Sequence, residues 1–297
     1  MENIISVKNL SQRYGRGRQI YDGLSFDVPE GSILGLLGKN GTGKTTTINI
    51  LMGFLRPQAG ECKIFGEDIT AMKPQTRTRI ALLLEGHVQY SFMTIAQIEK
   101  FYSRFYPRWN RDAYYGLMDK LKVSPGQKIS SMSNGQRSQV ALGLILAQNA
   151  DLLVLDDFSL GLDPGYRRLF ADYLREFVKA EGKTVFMTSH IIQDLERLVD
   201  DCIILDYGKI LTHQPVASLM ENLRRYTLTL PSGKQMPENI EGIYSPWQTS
   251  GTTEFHSFLA PDDVRKTLER EGISAGDLRE DRVVSLEDAF IGLTGRY

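Results

Sequence analysis

Residues 38–46 read Gly-Lys-Asn-Gly-Thr-Gly-Lys-Thr-Thr, which completes the phosphate-binding pattern G-x-x-x-x-G-K-T. The glycines let backbone N–H groups converge on phosphate oxygens, and a helix expected over 45–51 adds its partly positive N-terminus. In such a loop the lysine, here Lys44, holds β- and γ-phosphate oxygens, and the hydroxyl of Thr45 ligates Mg²⁺. The sequence therefore predicts a nucleoside triphosphate site, with these loop contacts: Gly38, Asn40, Gly41, Gly43, Lys44, Thr45 and Thr46.

Two further segments carry groups that act on phosphates. Residues 152–155 are apolar and are followed by Asp156. A buried strand that ends in a carboxylate beside a phosphate loop places that carboxylate on Mg²⁺, directly or through water. The turn at 132–136 contains Ser133 and Gly135 and precedes a helix-like run, which predicts a second anion site on the same chain.

The elements that position these groups follow from hydrophobic periodicity. Between residues 140 and 210 short apolar runs alternate with helical patterns, which is typical of a parallel sheet covered on both faces. Residues 1–30 alternate apolar and polar side chains, which predicts antiparallel strands. Residues 87–131 carry Tyr, Phe and Met at helical spacings. We interpret these as a helical insertion with an aromatic core, built mainly around these residues: Phe101, Tyr102, Phe105, Tyr106, Tyr114, Leu117, Met118 and Leu121.

The last third of the chain has a different pattern. After about Gln214, Pro and Gly residues separate short strands at 226–230 and 254–259. A helix is expected over 262–270 with Asp262 as its cap, and a last helix from Ser285. We therefore expect an α/β nucleotide-binding domain over 1–213, with a helical subdomain at about 87–150. Residues 214–297 are expected to form a small C-terminal α+β appendage that stabilises a dimer, with ligand sensing as the alternative.

Composition limits the possible partners. The chain has 297 residues, 41% hydrophobic and 24% charged, with a net charge of −1, so no global field favours DNA or an anionic membrane. Its two cysteines, Cys62 and Cys202, lie in apolar surroundings and suggest inert thiols in a reducing compartment. We expect no secretory signal and no membrane-spanning segment, and therefore a cytoplasmic chain whose membrane role comes through a partner.

The phosphate loop, second anion loop, strand-end aspartate and strand-end histidine occur in an order that resembles the nucleotide-binding subunit of ATP-binding cassette (ABC) transporters. The resemblance covers about residues 3–212 and implies a P-loop NTPase of ABC type, with an antiparallel β subdomain and a helical subdomain. Five motifs carry it: 38–46 as Walker A, 132–136 as the signature, 152–156 as Walker B, 160–163 as the D-loop and His190 as the switch histidine.

The resemblance also implies roles and partners. Tyr14 lies where the family keeps an aromatic residue that stacks on adenine, although packing on the sheet is an alternative. Two copies are expected to pair head to tail, so that one copy's signature caps the γ-phosphate held by Lys44 of the other. ATP and Mg²⁺ are the expected cofactors, separate transmembrane permease subunits the expected partners, and the inner face of the membrane the expected location. The signature contacts are Ser133, Gly135 and Gln136.

Three positions depart from the family pattern. Asp157 stands where a glutamate normally polarises the attacking water, and its carboxylate has one methylene less reach. A misplacement of ~1 Å can cost on the order of 10²-fold in rate, so the resemblance implies a slow ATPase in which Asp157, His190 and Lys44 are catalytic. Glu85 replaces the Q-loop glutamine and remains a candidate metal ligand. Asn134 replaces the first signature glycine, which Asn's tolerance of left-handed backbone allows.

The C-terminal end narrows the type of transporter. Residues 283–297 are similar to the end of ATPase subunits from bacterial ABC-2-type exporters, in which the permease is a separate polypeptide. The leading hypothesis is therefore the ATP-hydrolysing subunit of an exporter. An alternative is a regulatory or scaffold module that binds ATP and scarcely hydrolyses it. A chromosome or DNA-repair ATPase ranks last because the sequence shows neither a long coiled coil nor a basic groove.

Overall fold

The computed structural model describes residues 2–15, 17, 19–84, 90–158, 162–231, 234–237, 239–249 and 251–296. The chain divides into two compact units, Met1–Ile210 and Leu211–Tyr297.

Within the described residues, strands and helices are numbered in chain order. The strands are β1 (Asn3–Arg13), β2 (Gln19–Pro29), β3 (Ile33–Gly38), β4 (Ala59–Ile64), β5 (Glu67–Asp68), β6 (Ile80–Leu83), β7 (Leu152–Leu155), β8 (Thr184–Ser189), β9 (Asp201–Asp206), β10 (Lys209–Pro215), β11 (Arg224–Thr229), β12 (Tyr244–Thr249), β13 (Thr252–Ser257) and β14 (Arg279–Arg282). The helices are α1 (Lys44–Leu51), α2 (Pro74–Arg77), α3 (Ile95–Tyr102), α4 (Arg111–Lys120), α5 (Asn134–Ala147), α6 (Pro164–Glu181), α7 (Ile192–Glu196), α8 (Val216–Asn222), α9 (Pro261–Arg270) and α10 (Leu286–Thr294).

A six-stranded sheet in the order β10-β9-β3-β8-β7-β6 forms the centre of the first unit. Every residue of β3, β7 and β8 is buried, as expected of parallel strands covered on both faces. β8 pairs in parallel with β3 on one side and β7 on the other, so the carboxyl ends of these three strands are neighbours. The expected parallel sheet is confirmed, and its order brings the phosphate loop, Asp156 and His190 to one edge.

The N-terminal residues form the antiparallel strands that their alternating pattern predicts. The sheet has the order β2-β1-β4-β5, and β1 pairs with β2 and β4 in antiparallel register. Its apolar face shares one hydrophobic cluster with α1 and the central sheet. Phe26 of β2 stacks on Phe186 of β8, with ring centroids 5.7 Å apart. This packing fixes α1, and with it the phosphate loop, between the two sheets.

The segment at 87–131 contains α3 and α4 among its described residues, but only part of its aromatic set forms a core. Tyr114 is fully buried and its hydroxyl donates to the carbonyl of Ile95, which joins α4 to α3. Phe105 is 62% exposed, and Phe101 and Tyr102 are only partly buried. The interpretation of all these residues as core was therefore wrong for Phe101, Tyr102 and Phe105.

The second unit is a four-stranded antiparallel sheet in the order β12-β13-β11-β14. Tyr226 and Phe255 stack within its core, together with Val264 and Leu268 of α9. The helix α9 is capped at Ala260 and begins with Pro261, so the prediction of Asp262 as the cap was wrong; proline at the first helical position gives the better signal. Ser285 caps α10 as predicted, accepting from the N–H of Asp288.

Two chemical expectations also have structural outcomes. Cys62 and Cys202 are free and buried, and burial raises the pKa of each thiol to about 12, which makes both unreactive. Among the described helices, none combines the length and apolar character needed to cross a bilayer.

Candidate nucleotide site

The phosphate loop connects the buried end of β3 to the first residue of α1, Lys44. Gly43 has φ 107°, a conformation that side chains other than glycine rarely adopt, and a Cβ there would overlap Ile20 and Tyr21. A Cβ at Gly38 would lie 2.8 Å from the carbonyl oxygen of Leu205. The two motif glycines are therefore required by close packing as well as by the approach of phosphate.

Lys44 is buried and lies across its own loop. Its ammonium donates to the carbonyl oxygens of Gly38, at 2.7 Å, and Lys39, at 3.2 Å. These contacts hold a positive charge at the helix N-terminus, where an anion is favoured.

The end of β7 brings a carboxylate to the loop. Asp156 Oδ1 accepts from the hydroxyl of Thr188 at 2.6 Å and from that of Thr45 at 3.4 Å. Asp156 is 1% exposed; burial raises the pKa of its carboxyl, and the hydroxyls of Thr188 and Thr45 counteract part of this effect. The two predicted Mg²⁺ ligands, Thr45 and Asp156, are thus brought together.

The donors present fit Mg²⁺. Carboxylate and hydroxyl oxygens are hard ligands, and Mg²⁺ commonly takes one or two carboxylates together with water and substrate phosphates. In the described part of the chain, no group of three or more His, Cys, Asp or Glu side chains could hold a metal ion. The site therefore fits an ion that takes some of its ligands from the protein and the others from the phosphates of a nucleotide.

Asp157 and His190 form a close pair. Asp157 Oδ1 lies 2.7 Å from His190 Nδ1 and accepts the backbone N–H of His190 at 2.9 Å. Asp157 has φ 44°, in the left-handed region, and the following Phe158 stacks on Phe170 with centroids 4.6 Å apart. The residue that replaces the family glutamate is thus turned toward the histidine at the end of β8.

A cavity of about 310 Å³ is lined by eight of the predicted site residues. Tyr14 lies at its rim, 50% exposed, with its hydroxyl 3.2 Å from Thr46 Oγ1. The exposed ring beside the phosphate loop is open to a stacking partner, and its stacking on adenine stays a prediction. The lining residues are Tyr14, Ile20, Asn40, Gly41, Gly43, Lys44, Thr45, Thr46 and Asp157.

The signature residues lie at the start of α5 and are not among the described residues that line this cavity. Ser133 and Gln136 form a reciprocal capping box. Gly135 is buried, and a Cβ there would overlap the ring of Tyr166 on α6. Asn134 is helical, so it does not need the left-handed conformation that we considered for it.

Some predicted positions fall outside the described residues. Glu85 is one of them, as are the first two residues of the expected D-loop, 160 and 161; its last residue, Asp163, caps α6 by accepting from two backbone N–H groups. Sequence reasoning missed Thr188, which contacts both aspartates. No sequence signal identifies it, because its role depends on the pairing of β8 with β7.

Comparisons with known proteins agree with this fold. The family model described as ABC transporter matches residues 21–159. The Nod factor export ATP-binding protein I of Ralstonia nicotianae is 30% identical over 99% of this chain and 94% of that protein, and its namesake from Burkholderia orbicola is 30% identical over 98% and 97%. A solved structure titled as the ATP binding subunit of an ABC transporter has a TM-score of 0.64 at 24% identity, covering 73% of this chain and 92% of that one.

Proposed function

This chain belongs to the ABC transporter family as an ATP-binding and ATP-hydrolysing subunit, and we propose that it drives export through a separate membrane permease. The observation that carries the assignment of site residues is that Lys44, Thr45 and Asp157 line one cavity. The hydroxyl of Thr45 also donates to Asp156, the residue that follows β7. Relatives named as export ATP-binding proteins match nearly the whole chain, both units included, which supports export.

The proposed chemistry follows from the contacts. The ammonium of Lys44 and the N–H groups of the loop bind the β- and γ-phosphates, and Tyr14 stacks on the base. The carboxylate of Asp157 orients the attacking water and takes its proton, while His190 positions that carboxylate through two hydrogen bonds. Thr45 and Asp156 would hold Mg²⁺, which supplies charge neutralisation on the phosphate oxygens; Glu85 remains a further candidate ligand.

The proposed active unit is a head-to-tail dimer. Ser133, Gly135 and Gln136 lie at the N-terminus of α5, a 14-residue helix whose first turn favours an anion. They are absent from the described lining of their own chain's cavity, so a second copy is the natural source of the bound phosphate. ATP then becomes a component of the interface, and its hydrolysis weakens that interface.

The proposed permease contact is the aromatic surface on the helical segment, defined as Tyr90, Phe92, Phe101 and Phe105. Phe92 is 70% exposed and Phe105 62%, and edge-to-face contacts at 5–6 Å join the four rings. Exposed clustered aromatic side chains mark interaction sites on soluble proteins. Docking there would hold the chain at the inner face of the membrane.

Steady-state ATP hydrolysis tests the function. Lys44→Ala should reduce turnover by about 10²-fold or more, since it removes the charge that faces the phosphates. Lys63→Ala, which changes an exposed lysine on β4 in an ion pair with Glu61, is the matched control and should match the wild type. A wild type that binds ATP without measurable turnover would instead support the scaffold alternative.

A further inference from the structure

We propose that Thr188 is a positioning residue for ATP hydrolysis: its hydroxyl holds Asp156 and its backbone and hydroxyl together fix Asp157. This inference rests on the proposed roles of the two aspartates. It assigns a function to a residue that carries no motif of its own.

The contact with Asp156 is short and completely buried. Thr188 is 0% exposed, and its hydroxyl lies 2.6 Å from Asp156 Oδ1, closer than the hydroxyl of Thr45 at 3.4 Å. A hydrogen bond from a buried hydroxyl to a carboxylate is charge-assisted and about twice as strong as a neutral one. Thr188 therefore holds Oδ1 of Asp156 in place and leaves Oδ2 available to other groups at the site.

The contact with Asp157 fixes its backbone. The N–H of Asp157 lies 3.2 Å from the Thr188 hydroxyl oxygen and 3.2 Å from the Thr188 carbonyl oxygen. Asp157 has φ 44°, a conformation that is unfavourable for residues other than glycine and persists only where the surrounding structure enforces it. The N–H of Asp157 donates to both oxygens of Thr188, and these hydrogen bonds hold the backbone in this conformation. They thereby direct the Asp157 carboxylate toward His190.

The hydroxyl of Thr188 contacts both aspartates, because its oxygen accepts one hydrogen bond while its proton donates another. Because the Thr188 oxygen accepts from Asp157 N–H, its own proton is free to point at Asp156 Oδ1. The two aspartates are thereby linked in position by one atom. Valine matches the shape of threonine and deletes both hydrogen bonds of the hydroxyl, leaving only the backbone contact with Asp157, whereas serine keeps all of these contacts.

The same strand supplies a matched control. Thr184 lies at the opposite end of β8 and is also buried, but its hydroxyl accepts from the N–H of Gly31, away from the nucleotide cavity. Thr184→Val removes an equally buried hydroxyl from the same strand. A general effect of such a loss on the sheet would therefore appear in both variants.

The experiment compares Thr188→Val, Thr188→Ser and Thr184→Val in the full chain. Thr188→Val should lower kcat for ATP by about tenfold to a hundredfold with KM changed less than about threefold, because the lost contacts position groups for the chemical step. Thr188→Ser should restore most of kcat, and Thr184→Val should resemble the wild type. Thr188→Ala deletes the same hydroxyl without adding atoms and replaces the valine variant if that one fails to fold.

A binding measurement separates this inference from turnover. Titration with a fluorescent ATP analogue, with Mg²⁺ and with a chelator, should show that Mg²⁺ tightens binding to the wild type and to Thr188→Ser more than to Thr188→Val. Wild-type kcat in Thr188→Val or Thr188→Ala, or equal losses in the serine variant and the Thr184→Val control, would overturn the inference. A wild type without turnover, or an Asp157→Asn variant with wild-type turnover, would instead count against the proposed function.

Discussion

In the first unit three parallel strands, β3, β8 and β7, end side by side, whereas in the second unit the four strands are antiparallel. Parallel strands collect the residues that follow their carboxyl ends at one edge of the sheet, while antiparallel neighbours send them to opposite edges. The first arrangement brings Asp156 within hydrogen-bond distance of Thr45, and Asp157 within hydrogen-bond distance of His190. The second leaves its polar residues distributed along strand faces.

The nucleotide site and the second unit also differ in how their buried polar groups are paired. At the nucleotide site, Asp156 accepts two hydroxyl hydrogen bonds and Asp157 accepts two from His190. In the second unit His256 Nε2, Thr253 Oγ1 and Arg225 Nε are buried and have no hydrogen-bond partner among the described residues. The first set is arranged for chemistry. In the second set, burial lowers the pKa of His256.

The strongest test of the comparison removes the charge on Asp157. Asp157→Asn should lower kcat by about 10²–10⁴-fold, the usual contribution of a general base, while nucleotide binding persists. The measurement is steady-state turnover at saturating ATP. Asp172→Asn, which changes an exposed aspartate on α6, is the control and should retain activity. Equal turnover in Asp157→Asn and the wild type would mean that the strand edge is not the reacting centre.

The next test separates two reasons for glycine at position 135. Gly135→Ala places a Cβ against the ring of Tyr166 and should lower turnover by about tenfold to a hundredfold, by shifting the start of α5. The double variant Gly135→Ala/Tyr166→Ala removes the overlapping ring. Recovery of turnover would assign the glycine to packing within this chain. Persistent loss would assign it to close approach of a phosphate held by the second copy.

A smaller effect is expected from lengthening the catalytic side chain. Asp157→Glu adds one methylene and should raise turnover by about tenfold if limited reach makes the wild type slow. The check is kcat for both proteins under identical Mg²⁺ and ATP. Unchanged or lower turnover would contradict the reach argument, and would indicate that the left-handed backbone and the His190 contacts already place the aspartate correctly.

The nucleotide loop could be predicted from sequence because its glycines, Lys44 and Thr45 act within one continuous segment, in the strand–turn–helix context that the motif needs. Thr188 could not, because threonine is an ordinary strand residue and its role depends on β8 lying beside β7. The left-handed conformation of Asp157 likewise arises from contacts distant in sequence. Helical periodicity predicted α3 but not its exposure, since period alone does not say which faces are covered.

The smallest expected effect concerns the second unit, where His256 is 4% exposed and a Cβ on Gly292 of α10 would overlap its ring. Burial lowers the pKa of His256 below 6.5; Asp288 of α10 and Glu254 of β13 oppose this shift, and Arg225 of β11 and Arg296 add to it. Because the folded-state pKa is the lower one, an unfolded chain binds the proton more readily at acidic pH. Stability from neutral His256 is therefore fully present above pH 6.5 and is lost as pH falls below it.

We expect the unfolding temperature to fall by a few degrees between about pH 7.5 and 5.5, given that 1 kcal/mol shifts Tm by about 4–8 °C in a domain of 60–100 residues. The informative quantity is the difference between wild type and His256→Leu, because other groups titrate in both proteins. The leucine variant should lose part of the pH dependence, whatever its stability at neutral pH. His213→Gln, at an exposed histidine, should keep it. An equal pH dependence in wild type and His256→Leu would show that this buried imidazole does not contribute to the pH dependence of stability. In that case pH sensitivity would not distinguish the two units.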